Sequence, residues 1–301
     1  MAKLKTLFEC EACGNQQSKW MGKCPQCGAW ESFIELSNEQ IKASQELAKL
    51  TKTTKNATPI SQIQIEQIKR KSTGDNELDL VLGGGVVSGS LVLIGGSPGI
   101  GKSTLLLKIA SNLANDNQKV LYVSGEESAS QIKLRADRLN ANSDNLFLLT
   151  EIDLSSILAE VAKNEYKAIV IDSIQTLYSD KISSAPGSIS QVREITFELM
   201  RLAKKDDIAI FIIGHITKEG SIAGPRILEH MVDVVLYFEG DSSKELRILR
   251  GIKNRFGTTS EVGIFEMRSN GLVSAKDISS KFFTRGSAVS GSAITVTMEG
   301  S

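Results

Sequence analysis

The stretch Gly96-Ser97-Pro98-Gly99-Ile100-Gly101-Lys102-Ser103 decides the fold class, because the apolar run Leu91 to Ile94 precedes it and the helical pattern Thr104 to Asn115 follows. It fits GxxxxGK[ST] in the strand, loop and helix context that gives the pattern its meaning. Glycines let the backbone curl so that successive N–H groups and the following helix N-terminus point at phosphate oxygens. Lys102 supplies positive charge to the β and γ groups, Ser103 coordinates Mg²⁺, and residues through Thr104 complete the cradle. The expected ligand is ATP with Mg²⁺.

Outward from this loop, short β-branched runs alternate with helical patterns. Leu91 to Ile94, Val120 to Val123, Leu146 to Leu149, Ala168 to Ile171, Ile208 to Ile213 and Val232 to Phe238 read as buried strands. The clearest helix follows Ser188, where Val192, Ile195, Leu199 and Leu202 make one apolar stripe. Such alternation predicts an α/β fold whose central sheet is mainly parallel and covered on both faces. Glu245 to Met267 reads instead as an antiparallel hairpin turning at Phe256-Gly257-Thr258.

Hydrolysis needs a carboxylate beside the metal, a base for water and positive charge for the developing anion. Asp172 ends the run Ala168 to Ile171, at the sheet edge where open α/β sheets bind ligands, and is the metal-side acid. Glu126 and Glu127 follow Val120 to Val123; one is the expected base and the other a solvated charge. His215 ends another strand and is a candidate γ-phosphate sensor, whereas His230 reads as structural.

Cys10-Glu11-Ala12-Cys13 and Cys24-Pro25-Gln26-Cys27 are two CxxC pairs with ten residues between them, each followed by glycine. Four thiolates on two tight knuckles make a closed tetrahedral Zn²⁺ site, with Trp20, Trp30 and Phe33 available to cover it. Disulfides and an iron centre are the competing readings. Residues 37–58, rich in Ser, Thr, Lys, Gln and Asn, read as a flexible linker, so the expected plan is ribbon 1–36, linker 37–58 and ATPase domain 59–273. Over 301 residues, 35 Lys plus Arg balance 35 Asp plus Glu, so any anionic partner must meet a local basic surface. No apolar run reaches the roughly eighteen residues of a membrane span, and the first residues lack a signal-peptide pattern. The expectation is a cytoplasmic protein without a membrane partner.

With these residues in view, the chain resembles the bacterial RadA/Sms family of recombination and repair ATPases over nearly its whole length. The blocks KWMGKCPQCGAW, GSPGIGKSTLLL, YVSGEES, VIDSIQTL, GHITKEGSIAGPRILEHMVD and KNRFG carry the resemblance, in the family's order. It implies a RecA-like core, a hexameric ring, ATP hydrolysis, and branch migration or D-loop extension on single-stranded and branched DNA beside a RecA-type recombinase. It selects Glu126 over Glu127 as the base. It also gives Lys253 and Arg255 the role of a pair that reaches the γ-phosphate of the neighbouring subunit. Ser179 to Ser190 and Lys218 to Arg226 read as mobile loops facing DNA, with Lys218 and Arg226 as the contacts. In that family a domain resembling the Lon protease follows; residues 274–301 read as a connector and its truncated start, including the run Ala293 to Met298. A KaiC-like ring ATPase directed at protein, and an ATP-switched loading or scaffolding factor, are the alternative functions.

Overall fold

The computed structural model describes residues 8–10, 16–25, 28, 30–35, 59–62, 69–115, 118–215, 226–240, 245–268 and 271–275. The chain divides into two compact units, Met1–Glu66 and Gln67–Ser301. The expected linker 37–58 and the run Ala293 to Met298 lie outside the described residues.

In the first unit, β1 (Phe8–Cys10), β2 (Gln16–Gln17) and β3 (Phe33–Glu35) form a small antiparallel sheet in the order β2-β1-β3. Among its described residues, Cys24 and Phe33 form a small core with Phe8 packed against them. A segment this short buries little apolar surface by itself and needs a further constraint, such as a metal.

The second unit opens with a ribbon of β4 (Arg70–Lys71) and β5 (Val86–Val87) around α1 (Asn76–Leu82). Then follow β6 (Leu91–Gly96), α2 (Lys102–Asn115), β7 (Lys119–Ser124), α3 (Ala129–Arg138), β8 (Leu146–Thr150), α4 (Leu154–Lys163) and β9 (Tyr166–Asp172). After these come α5 (Ile189–Asp206), β10 (Ala209–His215), α6 (Arg226–Met231), β11 (Val234–Glu239), β12 (Leu246–Asn254), β13 (Val262–Arg268) and β14 (Gly271–Ser274). One sheet holds nine of the strands, in the order β14-β13-β12-β11-β6-β10-β9-β7-β8. From β11 to β8 every pairing is parallel; β12, β13 and β14 extend it antiparallel, with Leu246 opposite Glu266 in the expected hairpin.

The two-residue period of a strand divides β6 between two cores. Val92 and Ile94 pack with Leu78, Leu106, Ile109 and Ile132 on the face of α1, α2 and α3. Leu91 and Leu93 pack with Ile157, Val192, Ile195 and Leu199 on the face of α4 and α5. Both faces are covered, so the P-loop strand is apolar throughout and lies deep in the sheet. Ser188 caps α5, accepting a hydrogen bond from the Gln191 amide, and the expected stripe Val192, Ile195, Leu199 faces the core.

One expected buried strand is not buried. Leu146 to Leu149 forms β8 at the end of the sheet, where it pairs only with β7 among the described residues, and Leu148 is 38% exposed. An apolar run reads alike at the centre and at the edge of a sheet; strand order alone separates them.

Candidate nucleotide-binding site

Local backbone chemistry shapes the phosphate loop between β6 and α2. Gly99 at φ 74 and Gly101 at φ 114 occupy the left-handed region that disfavours other residues. A Cβ at Gly96 would lie 2.6 Å from the carbonyl oxygen of Phe238 on β11, and one at Gly101 would lie 2.8 Å from Cδ1 of Leu272. Ile100, 2% exposed, anchors the loop in the core. The first helical bond runs from the Leu105 amide to Gly101 O, so the amides of Lys102, Ser103 and Thr104 precede it and are available to an anion.

Lys102 is 4% exposed. Its Nζ donates to Gly96 O at 2.7 Å and Ser97 O at 3.0 Å. Burial lowers its pKa from 10.5 to about 8, while the charges of Asp172 and Glu126 pull the other way. A cation in a desolvated cradle, with two acids close enough to perturb it, is prepared for a phosphate rather than for the apo state.

Asp172 ends β9, and its Oδ2 accepts the Tyr122 phenol at 2.6 Å. The Ser103 hydroxyl is near enough to its carboxylate to lower its pKa. Burial, the largest influence, raises the pKa of Asp172, and the Tyr122 and Ser103 hydrogen bonds oppose it. A serine hydroxyl and a carboxylate near one another, beside the glycine-rich loop, are the hard oxygen pair that suits Mg²⁺. Tyr122 was not legible as a site residue in the sequence. Its partner is fifty positions away, and the contact exists because β7 and β9 are neighbours with Ser124 opposite Asp172.

The two adjacent glutamates diverge. Glu126 is exposed, and its Oε1 accepts the Ser173 hydroxyl at 2.6 Å, one residue beyond Asp172. Glu127 is instead ion-paired with Arg135 on α3, which corrects the expectation that the second acid is solvated. Gly125 makes the turn that sends them apart: its amide donates to Asp172 O, and a Cβ there would come within 2.3 Å of Thr176 Oγ1. A small cleft of about 210 Å³ beside Glu126 is lined by Ser124, Thr150, Glu151 and Ile152.

His215 closes β10 opposite Gly96, next to the start of the phosphate loop; its side chain lies outside the described residues. Lys218 lies outside them entirely, as does the side chain of Arg226 at the start of α6. His230 is exposed, and its carbonyl accepts from Lys253 at 3.3 Å. The expected mobile loop from Ser179 to Ser190 is strapped down. Buried Gln191 accepts from the Ser179 amide and donates to the carbonyls of Ser179, Ile182 and Ser184, all at 2.9–3.0 Å.

Lys253 and Arg255 do not meet the phosphate loop of their own chain. Arg255 N donates to Asp233 O, and Asp233 N to Leu91 O, the first residue of β6. Gly96 is five residues further along the strand, roughly 16 Å away. Lys253 Nζ donates to the carbonyls of Glu229 (2.7 Å), His230 (3.3 Å) and Val232 (2.8 Å). Burial, with the Arg255 charge beside it, lowers the Lys253 pKa. Arg255 donates to Asp233 Oδ1 at 3.3 Å and His230 O at 3.4 Å.

In the ribbon, Cys24 is 1% exposed and Gly28, at φ 76, donates its amide to Cys24 O at 2.9 Å, the tight turn that a CxxC knuckle needs. Phe33 packs against Cys24 and stands opposite Cys10, bringing the two CxxC segments toward one core. A buried thiol on such a turn fits a Zn²⁺ ligand. Cys13 and Cys27 lie outside the described residues, as does the side chain of Cys10. Trp20 and Trp30, expected to cover the cysteines together with Phe33, are 53% and 72% exposed. The Trp20 indole is drawn to Phe33 O, and Lys23 lies over the Trp30 ring.

Among the described residues, no helix is long and apolar enough to cross a membrane. The family described as AAA domain matches residues 58–221, and the Rubredoxin metal binding domain matches residues 8–35. The DNA repair protein RadA of Campylobacter jejuni is 70% identical over 301 residues, covering all of this chain and 68% of that protein. Those of Helicobacter pylori J99 and Bacillus subtilis are 64% and 53% identical, each over all of this chain and over 67% and 66% of their own lengths. With the AAA match spanning more than half of its residues and this identity running end to end, the chain belongs to the RadA family of DNA repair proteins.

Proposed function

We propose that this protein is a DNA-dependent ATPase of recombinational DNA repair, a cytoplasmic ring-forming translocase that drives branch migration or D-loop extension on single-stranded DNA. The observation that carries the ATPase reading is the convergence of Lys102, Ser103, Asp172 and Glu126 at the carboxyl edge of β6, β7 and β9. Ser103 and Asp172 would hold Mg²⁺, which would supply positive charge to offset that of the phosphates. The loop amides and Lys102 orient the phosphates. Glu126, exposed and held by Ser173, takes the proton of the attacking water, a role the Arg135-bound Glu127 is not placed to share. His215, beside Gly96, senses the γ-phosphate.

The far-edge location of Lys253 and Arg255 supports their action on a second copy, since their own phosphate site is beyond reach. A homo-hexameric ring satisfies that requirement, with Lys218 and Arg226 contacting DNA and a RecA-type recombinase working alongside. The proposed domain plan is ribbon 1–36, linker 37–58, ATPase domain 59–273 and connector 274–301, with Cys10, Cys13, Cys24 and Cys27 holding Zn²⁺. Zinc would supply the closed tetrahedral crosslink that the ribbon's small core lacks.

Steady-state hydrolysis with and without single-stranded DNA tests this reading. Glu126→Gln should lower kcat by roughly 10²–10⁴ with nucleotide binding retained. Mixing Glu126→Gln with Arg255→Ala subunits should restore turnover where intact faces meet. Hydrolysis indifferent to DNA would remove the translocase, and mixtures that never recover would remove the action in trans.

A further inference from the structure

Asp233, two residues beyond α6, is a buried carboxylate that the nucleotide chemistry does not use, 4% exposed at the opening of β11. A carboxylate this deep is retained only when its charge is compensated. Oδ2 accepts the Leu91 amide at 3.0 Å and Lys204 Nζ at 2.7 Å, while Oδ1 accepts Arg255 at 3.3 Å. Its main chain doubles two of these links: Asp233 N donates to Leu91 O, and Asp233 O accepts the Arg255 amide. Lys204 also lies 5.9 Å over the ring of Phe256, the residue after Arg255.

The partners of this carboxylate differ in what they leave over. Leu91 is locked in the sheet, whereas the Arg255 side chain is 53% exposed and uses two donors of its five, both in long bonds. Asp233 therefore fixes the root of Arg255 and leaves the face of the guanidinium toward solvent. The same short segment seats Lys253 through the carbonyls of Glu229, His230 and Val232. This seat is bonded to the first residue of the strand that ends in the phosphate loop.

We propose that Asp233 is a positioning residue for ATP hydrolysis, which aims Arg255 at the phosphate site of a second copy and references it to β6. The inference rests on the reading that Arg255 acts in trans. Asp233→Asn keeps the shape and the acceptor for Leu91 but removes the charge that holds Arg255. It should lower kcat about tenfold or more, change KM for ATP less than twofold, and leave the melting temperature within a few degrees. Combined with Arg255→Ala, it should lower kcat no further than Arg255→Ala alone, because both changes disable one device.

A multiplicative loss in the double variant would overturn the proposal and make Asp233 a residue of the fold only, as would an Asp233→Asn protein with normal kcat. Should Asp233→Asn fail to fold, Lys204→Met tests the same seat from its exposed side: a several-fold fall in kcat, absent in the Arg255→Ala background, supports the proposal, and no fall refutes it. Normal turnover by Arg255→Ala itself would instead refute the trans reading beneath it, so the two failures are told apart.

Discussion

Replacing Lys102 by Met should make the nucleotide-free protein more stable while abolishing nucleotide binding. Burial brings the Lys102 pKa from 10.5 to about 8, which at neutral pH sets ~3 kcal/mol against folding. Met keeps the apolar length of the side chain but loses the bonds to Gly96 O and Ser97 O, worth about 1 kcal/mol each. The net gain is about 1 kcal/mol, or roughly 2–4 °C in Tm for a unit of this size. The sign reverses with pH in a defined window. Below about pH 8 Lys102 is charged in both states and the full penalty stands. Between about 8 and 10.5 the folded protein releases the proton and the unfolded chain keeps it, so wild-type stability rises with pH. The advantage of Met should therefore vanish by about pH 9.5. Calorimetric melting without nucleotide at neutral and alkaline pH measures both effects. A Met variant that melts below the wild type at neutral pH, or one whose advantage ignores pH, would refute the assignment of Lys102 as a desolvated charge.

Removing the Tyr122 phenol takes away a hydrogen bond that holds the Asp172 pKa down, so Tyr122→Phe should raise that pKa further and protonate Asp172 more readily as pH falls. The Mg²⁺ needed for half-maximal hydrolysis should rise several-fold, more at acid than at neutral pH; a metal titration at two pH values checks it. Gln191→Leu removes the side-chain amide that ties Ser179, Ile182 and Ser184 together, at about 1 kcal/mol per hydrogen bond, and should open residues 179–188 to limited proteolysis before the rest of the domain melts. Stripping zinc with a chelator should unfold the ribbon and change the emission of Trp20 and Trp30, with nucleotide binding retained. Retention of the native emission spectrum in metal-free protein would count against a structural metal.

The phosphate loop was legible because its constraint is local. Glycine spacing, a preceding apolar run and a following helix all lie within a few residues, and Asp172 was legible as a strand end. What escaped reading depends on which strands are neighbours. Tyr122 meets Asp172 because β7 lies beside β9, and β8 is exposed because it falls at the sheet's end. Glu126 and Glu127 are chemically equal in the sequence; Gly125 and an arginine eight positions beyond Glu127 distinguish them in space. Asp233 carried no signal of its own within the run Val232 to Phe238, since neither Leu91 nor Arg255 is near it along the chain. The exposed tryptophans of the ribbon show the same limit: aromatic composition near cysteines does not say which ring turns inward.

The interior position of β6 also sets the order in which a nascent chain can acquire its function. Its hydrogen-bonding neighbours are β10 and β11, which begin at Ala209 and Val234, far downstream of Gly96. At a synthesis rate of about 5–20 residues per second, the strand waits on the order of ten seconds for its first partner. During that interval an apolar strand has two unpaired edges, the kind of surface that chaperones recognise and aggregates recruit. Nucleotide cannot rescue this stage, because the cradle leans on Phe238 and Leu272 from the far end of the domain. A ribosome-bound chain that has emerged only as far as β9 thus carries the whole glycine-rich motif and Asp172, yet neither of the distant residues, Phe238 and Leu272, against which that loop packs.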